Sequence, residues 1–352
     1  RMKIESTKTD SAKGEITVFT LTNAVGASVS LSSLGAGILS IVVPDKDGHL
    51  EDVALGYADV ADYFYDGPFA GKIPGRYANR IANGRFELDG TACQLQCNCG
   101  PHALHGGPES FANRIWDCAI EDNCVVFSLL SPDGEEGYPG EMKAEAVYTW
   151  SDDCELRLDL RAVCDKTTIV NLTNHCYFNL DGADSGCVLG HELWIKASAY
   201  VVTDETLAPT GELASVGGTP MDFTESKPIG RDIKADFPAL KYGKGYDNSW
   251  AVEDWQPGRL VTAARLCSPV SGRILEVATT QPAVHVYTGN WLDGCPQGKG
   301  GSRYQDYDGV AIECQGMPDA PNHPNFPSQR LEPGDEYRQT IIFKFRNQID
   351  LE

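Results

Sequence analysis

The stretch "MKAEAVYTWSDDCELRLDLRAV", residues 142 to 163, sets the fold class. Met142, Ala144, Ala146, Tyr148 and Trp150 alternate with Lys143, Glu145, Val147 and Thr149. After Ser151, Asp152 and Asp153, the residues Leu156, Leu158, Leu160 and Ala162 alternate with Arg157, Asp159 and Arg161. A period of two sends successive side chains to opposite faces, so each run reads as a half-buried strand and the Ser-Asp-Asp triplet as the turn between them.

The same pattern continues outward in "GEITVFTLTN", "ASVSLSSLGAGILSIVV", "GRFELDGTACQL", "CVVFSLLS" and "GRILEVATTQPAVHVYTG". Turn chemistry separates these runs, as in "PDKDG", "LDG" and "SPDGEEGYPG". Strands spaced every ~8–12 residues predict an all-β protein, a large antiparallel β-sandwich. Helical periodicity is confined to a short turn in "GYADVADYFYD". The 352 residues fit two average domains or one large β domain, and no linker breaks the composition, so residues 1–352 are expected to form one domain. Residues 204–250 and 315–337 are rich in Gly and Pro and read as long loops, either functional or poorly ordered.

Charge narrows the partners. Lys plus Arg is 29 and Asp plus Glu is 50, a net −21. Such a field repels nucleic acid and anionic membrane surfaces and favours a neutral small-molecule substrate. No run of ~18 apolar residues spans a bilayer, and "RMKIESTKTDSAKGE" lacks the apolar centre of a signal peptide. A cytoplasmic location is expected, or a periplasmic one if an export signal has been removed. Of the 12 cysteines only "CQLQCNC" is clustered, without the paired spacing of a zinc site, so reduced single thiols are expected.

Cofactor motifs are missing. "CPQGKGG" fails the phosphate-loop spacing, "HELWI" lacks the second zincin histidine, and no GxSxG elbow occurs. Neither cofactor nor metal is expected. What stands out is a set of polar residues in apolar or Gly-rich settings: Arg76, Asn79 and Arg80 in "GRYANRIANGRF", and His102 and His105 in "NCGPHALHGGPESF". His175 lies in "VNLTNHCYFNL", which reads as a strand with an unusually polar face. Asp247 lies in "GYDNSW", Gln281 in "TTQPAVHVYTGN" and Glu313 in "GVAIECQ". Taken singly, each has a structural alternative. His175 could be a satisfied core histidine, Asp247 a turn cap, Gln281 a sheet-edge amide, and Glu313 a strand residue facing water. Burial of Glu313 among its apolar neighbours would raise its pKa above ~4.3.

In order along the chain, "GRYANRIANGRF", "HALHGG", "TNHCYFNL", "GYDNSW", "TTQPAVHVYTGNWL" and "VAIECQGMPDAPNHPNFP" resemble the successive motifs of the aldose 1-epimerases, the galactose mutarotases. The resemblance implies a β-supersandwich and interconversion of the α and β anomers of a free aldohexose such as galactose or glucose. It implies Glu313 as base and His175 as acid, His105 as a hydrogen-bond partner of the sugar, and Arg80 with Asn79 as hydroxyl donors. Asp247 is implied as acceptor from sugar hydroxyls and Gln281 as an amide of the pocket wall. The polar face of residues 170–180 would then floor the pocket, with Cys176 on the other side of the strand. A monomer or weak homodimer without cofactor or metal is expected. Cys314 and Gln315 depart from the family's usual residues after the glutamate. Three alternatives stay open: a hexose-6-phosphate 1-epimerase, which needs a cationic pocket; a non-catalytic sugar-binding protein of the same fold; and a glycosidase pairing Glu313 with Asp247.

Overall fold

The computed structural model describes residues 1–347. Among them, strands form antiparallel sheets of five, nine and six members, with three two-stranded pairs besides. The opening hairpin forms as read: Met142–Trp150 pairs with Glu155–Cys164, Tyr148 opposite Leu158 and Trp150 opposite Leu156. Their apolar positions are buried and Lys143, Arg157 and Arg161 face outward. These two strands belong to the nine-stranded sheet, which continues through Tyr337–Asn347, Arg273–Thr279 and Val261–Cys267.

One face of this sheet is apolar along its length, and the other two sheets cover it. The N-terminal five-stranded meander, Lys3–Ser11 to Leu50–Asp52, packs Phe19 edge-on against Phe127 with centroids 6.0 Å apart. The six-stranded sheet brings Phe178 to 5.2 Å from Phe343. Its members in order are Tyr177–Phe178, Val310–Gln315, Ala283–Tyr287, Asp247–Ala251, Ala199–Thr203 and Pro209–Ser215. Val284, Val286, Val310, Ile312 and Cys314 join the shared core. The result is the sandwich that the alternation predicts.

Two expectations change. Residues 170–180 are not a strand: only Tyr177–Phe178 pairs in a sheet. Side chains replace the ladder here. Asn171 Nδ2 donates to the Ala78 and Gly316 carbonyls and its Oδ1 accepts from Gly316 N–H. Thr173 donates to the Cys314 carbonyl, Asn174 to Gly71, and Asn179 to Gly186 and Asp308. The segment is polar because its buried backbone neighbours need partners, not because it faces a sugar. The second change concerns residues 204–250. They contain the strand Pro209–Ser215 and the helix Pro238–Gly243, the only α-helix among the described residues.

Val60–Tyr63 is the short helical turn expected in "GYADVADYFYD", a 3₁₀ turn capped by Asp59. Cys176 points into the core, and the clustered Cys93, Cys97 and Cys99 are free thiols. No helix among the described residues is long and apolar enough to cross a membrane.

Candidate active site

Every residue of Val310–Gln315 is buried. The pleat puts Ile312 and Cys314 in the core, so Glu313 must lie on the opposite face. Register assembles its neighbours: His285 is directly across from Glu313, Ser249 across from His285, and Asp247 across from Tyr287. This face floors a cavity of about 420 Å³. Larger surface depressions of about 620 and 540 Å³ lie elsewhere, among residues such as Asp152, Lys344, Lys143 and Arg161, and neither contains a buried acid–base pair.

The facing wall comes from residues 67–69, 79–80 and 104–105 with His175. The short pair Arg80–Ile81 and Ala103–Leu104 places Arg80 and His105 side by side. Asn79 and His105 both adopt left-handed backbone angles, φ 67° and 52°, which non-glycine residues rarely take. Gly106, φ 94°, permits the turn, because a Cβ there would sit 1.8 Å from the Gly75 carbonyl oxygen. Gly106→Ala should therefore lower unfolding free energy by about 2 kcal/mol or more. Urea melts followed by tryptophan fluorescence would show it, and an unchanged midpoint would refute the requirement.

His175 is fixed by its own backbone, its N–H donating to Lys72 O at 2.9 Å and its carbonyl accepting from Gly71 N–H at 3.0 Å. Its ring packs on Tyr177, centroids 5.0 Å apart, and edge-on to His105 at 5.3 Å. His175 Nε2 lies 3.3 Å from Glu313 Oε1. Close as they are, the two are not a conventional ion pair. Burial pushes the Glu313 carboxyl well above its usual range, and nearby Asp247 adds to the rise. Burial pulls His175 down to about 3. Each group is driven toward its neutral form, so one shared proton is the natural occupancy of the pair.

Asp247 contrasts with Glu313. Burial pushes its pKa up as well, but the hydrogen bond from His285 Nε2, 2.7 Å from Oδ1, and the nearby Arg80 charge outweigh this and hold it below the carboxylate range. His105 is driven well below the usual imidazole value by burial and by its neighbours His175 and Arg80. Arg80 Nε is buried without a protein acceptor, an opening for a ligand oxygen. His105, His175 and Glu313 also approach one another closely enough to hold a cation. Proton transfer between these groups requires none.

Six of the seven expected site residues therefore line one cavity: Glu313, His175, His105, Asn79, Arg80 and Asp247. Gln281 does not. It is wholly buried behind the sheet, where its Nε2 donates to the Leu172 carbonyl at 2.9 Å and to the Tyr337 hydroxyl at 3.2 Å. The wall position expected of it is taken by His285. Arg76 turns away too, its guanidinium donating to the Ser131, Pro132, Pro139 and Gly140 carbonyls. His102 braces a loop, accepting from Asn83 N–H and contacting the Thr206 hydroxyl. Trp291 lies at the rim and is 65% exposed. The sequence reading missed His285 together with the aromatic lining, Phe69, Tyr177 and Tyr287. A signal existed for His285, since the alternation in "AVHVY" puts it opposite the core-facing Val284 and Val286.

Comparison with known proteins identifies the family and the fold. The family model "Aldose 1-epimerase" matches residues 17–344. A galactose mutarotase of Bos taurus is 44% identical over 317 residues, 90% of each chain. An aldose 1-epimerase of Escherichia coli is 40% identical over 331 residues, 93% of this chain and 94% of the other. The crystal structure of an aldose epimerase homologue from C. elegans superposes with a TM-score of 0.85 at 33% identity, covering 97% of this chain and 99% of that one. Similarity of this extent, over the segments that build the cavity, means that the chain belongs to the aldose 1-epimerase family.

Proposed function

We propose that the chain interconverts the α and β anomers of free aldohexoses, with Glu313 as base and His175 as acid. The observation that carries this is the buried 3.3 Å approach of Glu313 to His175 in a sugar-sized cavity. Glu313 takes the proton of the anomeric hydroxyl, electrons from that O–H form the carbonyl, and the C1–O5 bond breaks. His175 delivers its proton to O5. Rotation about C1–C2 presents the other carbonyl face, and closure returns both protons by the reverse path. The two anomers are close in energy, so acid and base must exchange roles readily. Unperturbed, a proton shared by a carboxylate and an imidazole would stay on the imidazole by about two pK units. Burial, by raising Glu313 and lowering His175, works against that preference.

Polarimetry of freshly dissolved α-galactose, with and without enzyme, tests the proposal directly; a trace matching the spontaneous rate would overturn it. An unphosphorylated sugar fits best. Among the described residues lining the cavity, Arg80 is the one permanent cation, whereas a phosphate site would favour two or more. Lys244 near the rim lies over the Trp291 ring and is tied to Asp306 at 2.8 Å. Galactose 6-phosphate should therefore be turned over at least about tenfold less efficiently than galactose.

Asp247 serves as an ionised acceptor for sugar hydroxyls. Asp247→Asn should lower kcat/KM about tenfold or more, through loss of a charge-assisted hydrogen bond. Initial rates across galactose concentrations would measure it, and an unchanged kcat/KM would remove Asp247 from the binding set. A cytoplasmic setting suits the exposed free thiols Cys97 and Cys187.

A further inference from the structure

Asn79 lies between two of the pocket's imidazoles. Its backbone N–H donates to His105 Nδ1 at 3.0 Å, and its side-chain Nδ2 lies 3.2 Å from His285 Nδ1. The orientation of the amide is set independently, because its Oδ1 accepts the Arg80 backbone N–H at 2.9 Å. The nitrogen is therefore what faces His285. A peptide nitrogen and an amide nitrogen can only donate, so both imidazoles must accept at Nδ1. In a neutral ring that leaves the proton on Nε2.

The far edge of His285 gives the same answer by a separate route. Its Nε2 meets Asp247 Oδ1 at 2.7 Å, and an ionised carboxylate requires an N–H there. Ser249 Oγ lies 2.7 Å from His285 Nδ1, and its hydroxyl, able to donate or accept, is compatible with a bare Nδ1. The link to His105 is reciprocal, because His105 N–H donates to the Asn79 carbonyl at 3.0 Å. Asn is among the few residues that accept the left-handed backbone this turn demands.

We propose that Asn79 is a positioning residue that fixes the tautomers of His105 and His285, so that both carry their proton on Nε2. His105 then presents a donor to the sugar, and His285 pins one oxygen of Asp247 and leaves the other for a sugar hydroxyl. This role differs from that of a direct hydroxyl donor, since both ends of the Asn79 amide are engaged within the protein. It rests on the cavity being an acid–base sugar site, but its test reads protons on nitrogen and needs no turnover.

The chain has seven histidines, few enough for ¹⁵N-histidine labelling and long-range ¹H–¹⁵N correlation, with His105→Gln and His285→Gln assigning the two spin systems. In the unaltered protein both should show a bare Nδ1 and a protonated Nε2; a proton on Nδ1 of either overturns the proposal. Asn79→Asp then separates the two links. The new carboxylate still accepts from Arg80 N–H but faces His285 Nδ1 with an acceptor, so His285 should become doubly protonated. His105, held by the backbone N–H, should keep its bare Nδ1. With Asp247 tied to an imidazolium, kcat/KM for galactose should fall about tenfold to a hundredfold, chiefly through KM. Both histidines shifting together, or neither shifting, would refute the assignment, and if the variant does not fold the spectrum of the unaltered protein decides.

Discussion

Glu313→Gln should lower kcat by about 10²–10⁴ while changing KM little. Glutamine keeps the shape and the hydrogen-bonding capacity of the side chain but cannot take the anomeric proton. The fold should tolerate the change. Glu313 is 1% exposed and its Oε1 has no hydrogen-bond partner, and a neutral amide resembles the neutral form toward which burial already drives the carboxyl. Thermal melting at or above the parental temperature, together with polarimetric rates close to spontaneous mutarotation, is the expected pair of results. A stable variant retaining more than about a tenth of the parental kcat would be incompatible with general-base catalysis by this group.

His175→Asn should cause a loss of similar size, about 10²–10⁴ in kcat, because asparagine has no proton to give at the ring oxygen. This variant has a second signature in its pH profile. In the parent, activity requires one proton on the Glu313–His175 pair. On the acid side a second proton binds as His175 titrates, near pH 3, so kcat/KM falls as pH drops through that value. On the alkaline side the pair loses its single proton at the raised value of Glu313, so kcat/KM falls as pH rises past a point well above the ordinary 4.5. Removing His175 should abolish that acid limb and leave Glu313, active only when ionised, as the base, so the residual kcat/KM should instead rise with pH through the raised Glu313 value. Profiles taken where circular dichroism is constant would reveal this. An acid limb unchanged in His175→Asn would assign it to another group.

Much of this architecture was legible from period-two alternation, because in a sandwich one face of each long strand meets oil and the other water. Met142–Trp150 and Glu155–Cys164 show it plainly. The run at 170–180 misled because its fold is dictated by partners far along the chain. Asn171 bonds to Ala78 and Gly316, and Thr173 to Cys314. A polar run of this kind looks like a wet strand until those partners are known. The site was legible in its reacting groups and incomplete in its walls. Glu313 and His175 stood out as ionisable groups in apolar surroundings, whereas Gln281 and His285 lie four residues apart, a spacing that alternation assigns to one face, and the break at Pro282 sends Gln281 elsewhere. Nor could local pattern show that Asn79 reaches His285, a contact across 206 positions.

The strand holding Glu313 alternates between the shared core and the cavity, and this has a consequence for how the protein can fail. A slip of one position against Ala283–Tyr287 would drive the carboxyl into oil and deliver Ile312 to the sugar. Misalignment is thus penalised twice, once as lost cohesion and once as a stranded ionisable group, so the greasy side of the sheet acts as a gauge for the reactive side. Molecules of this chain should accordingly divide into fully competent and unfolded ones, without a compact but mis-set population between them.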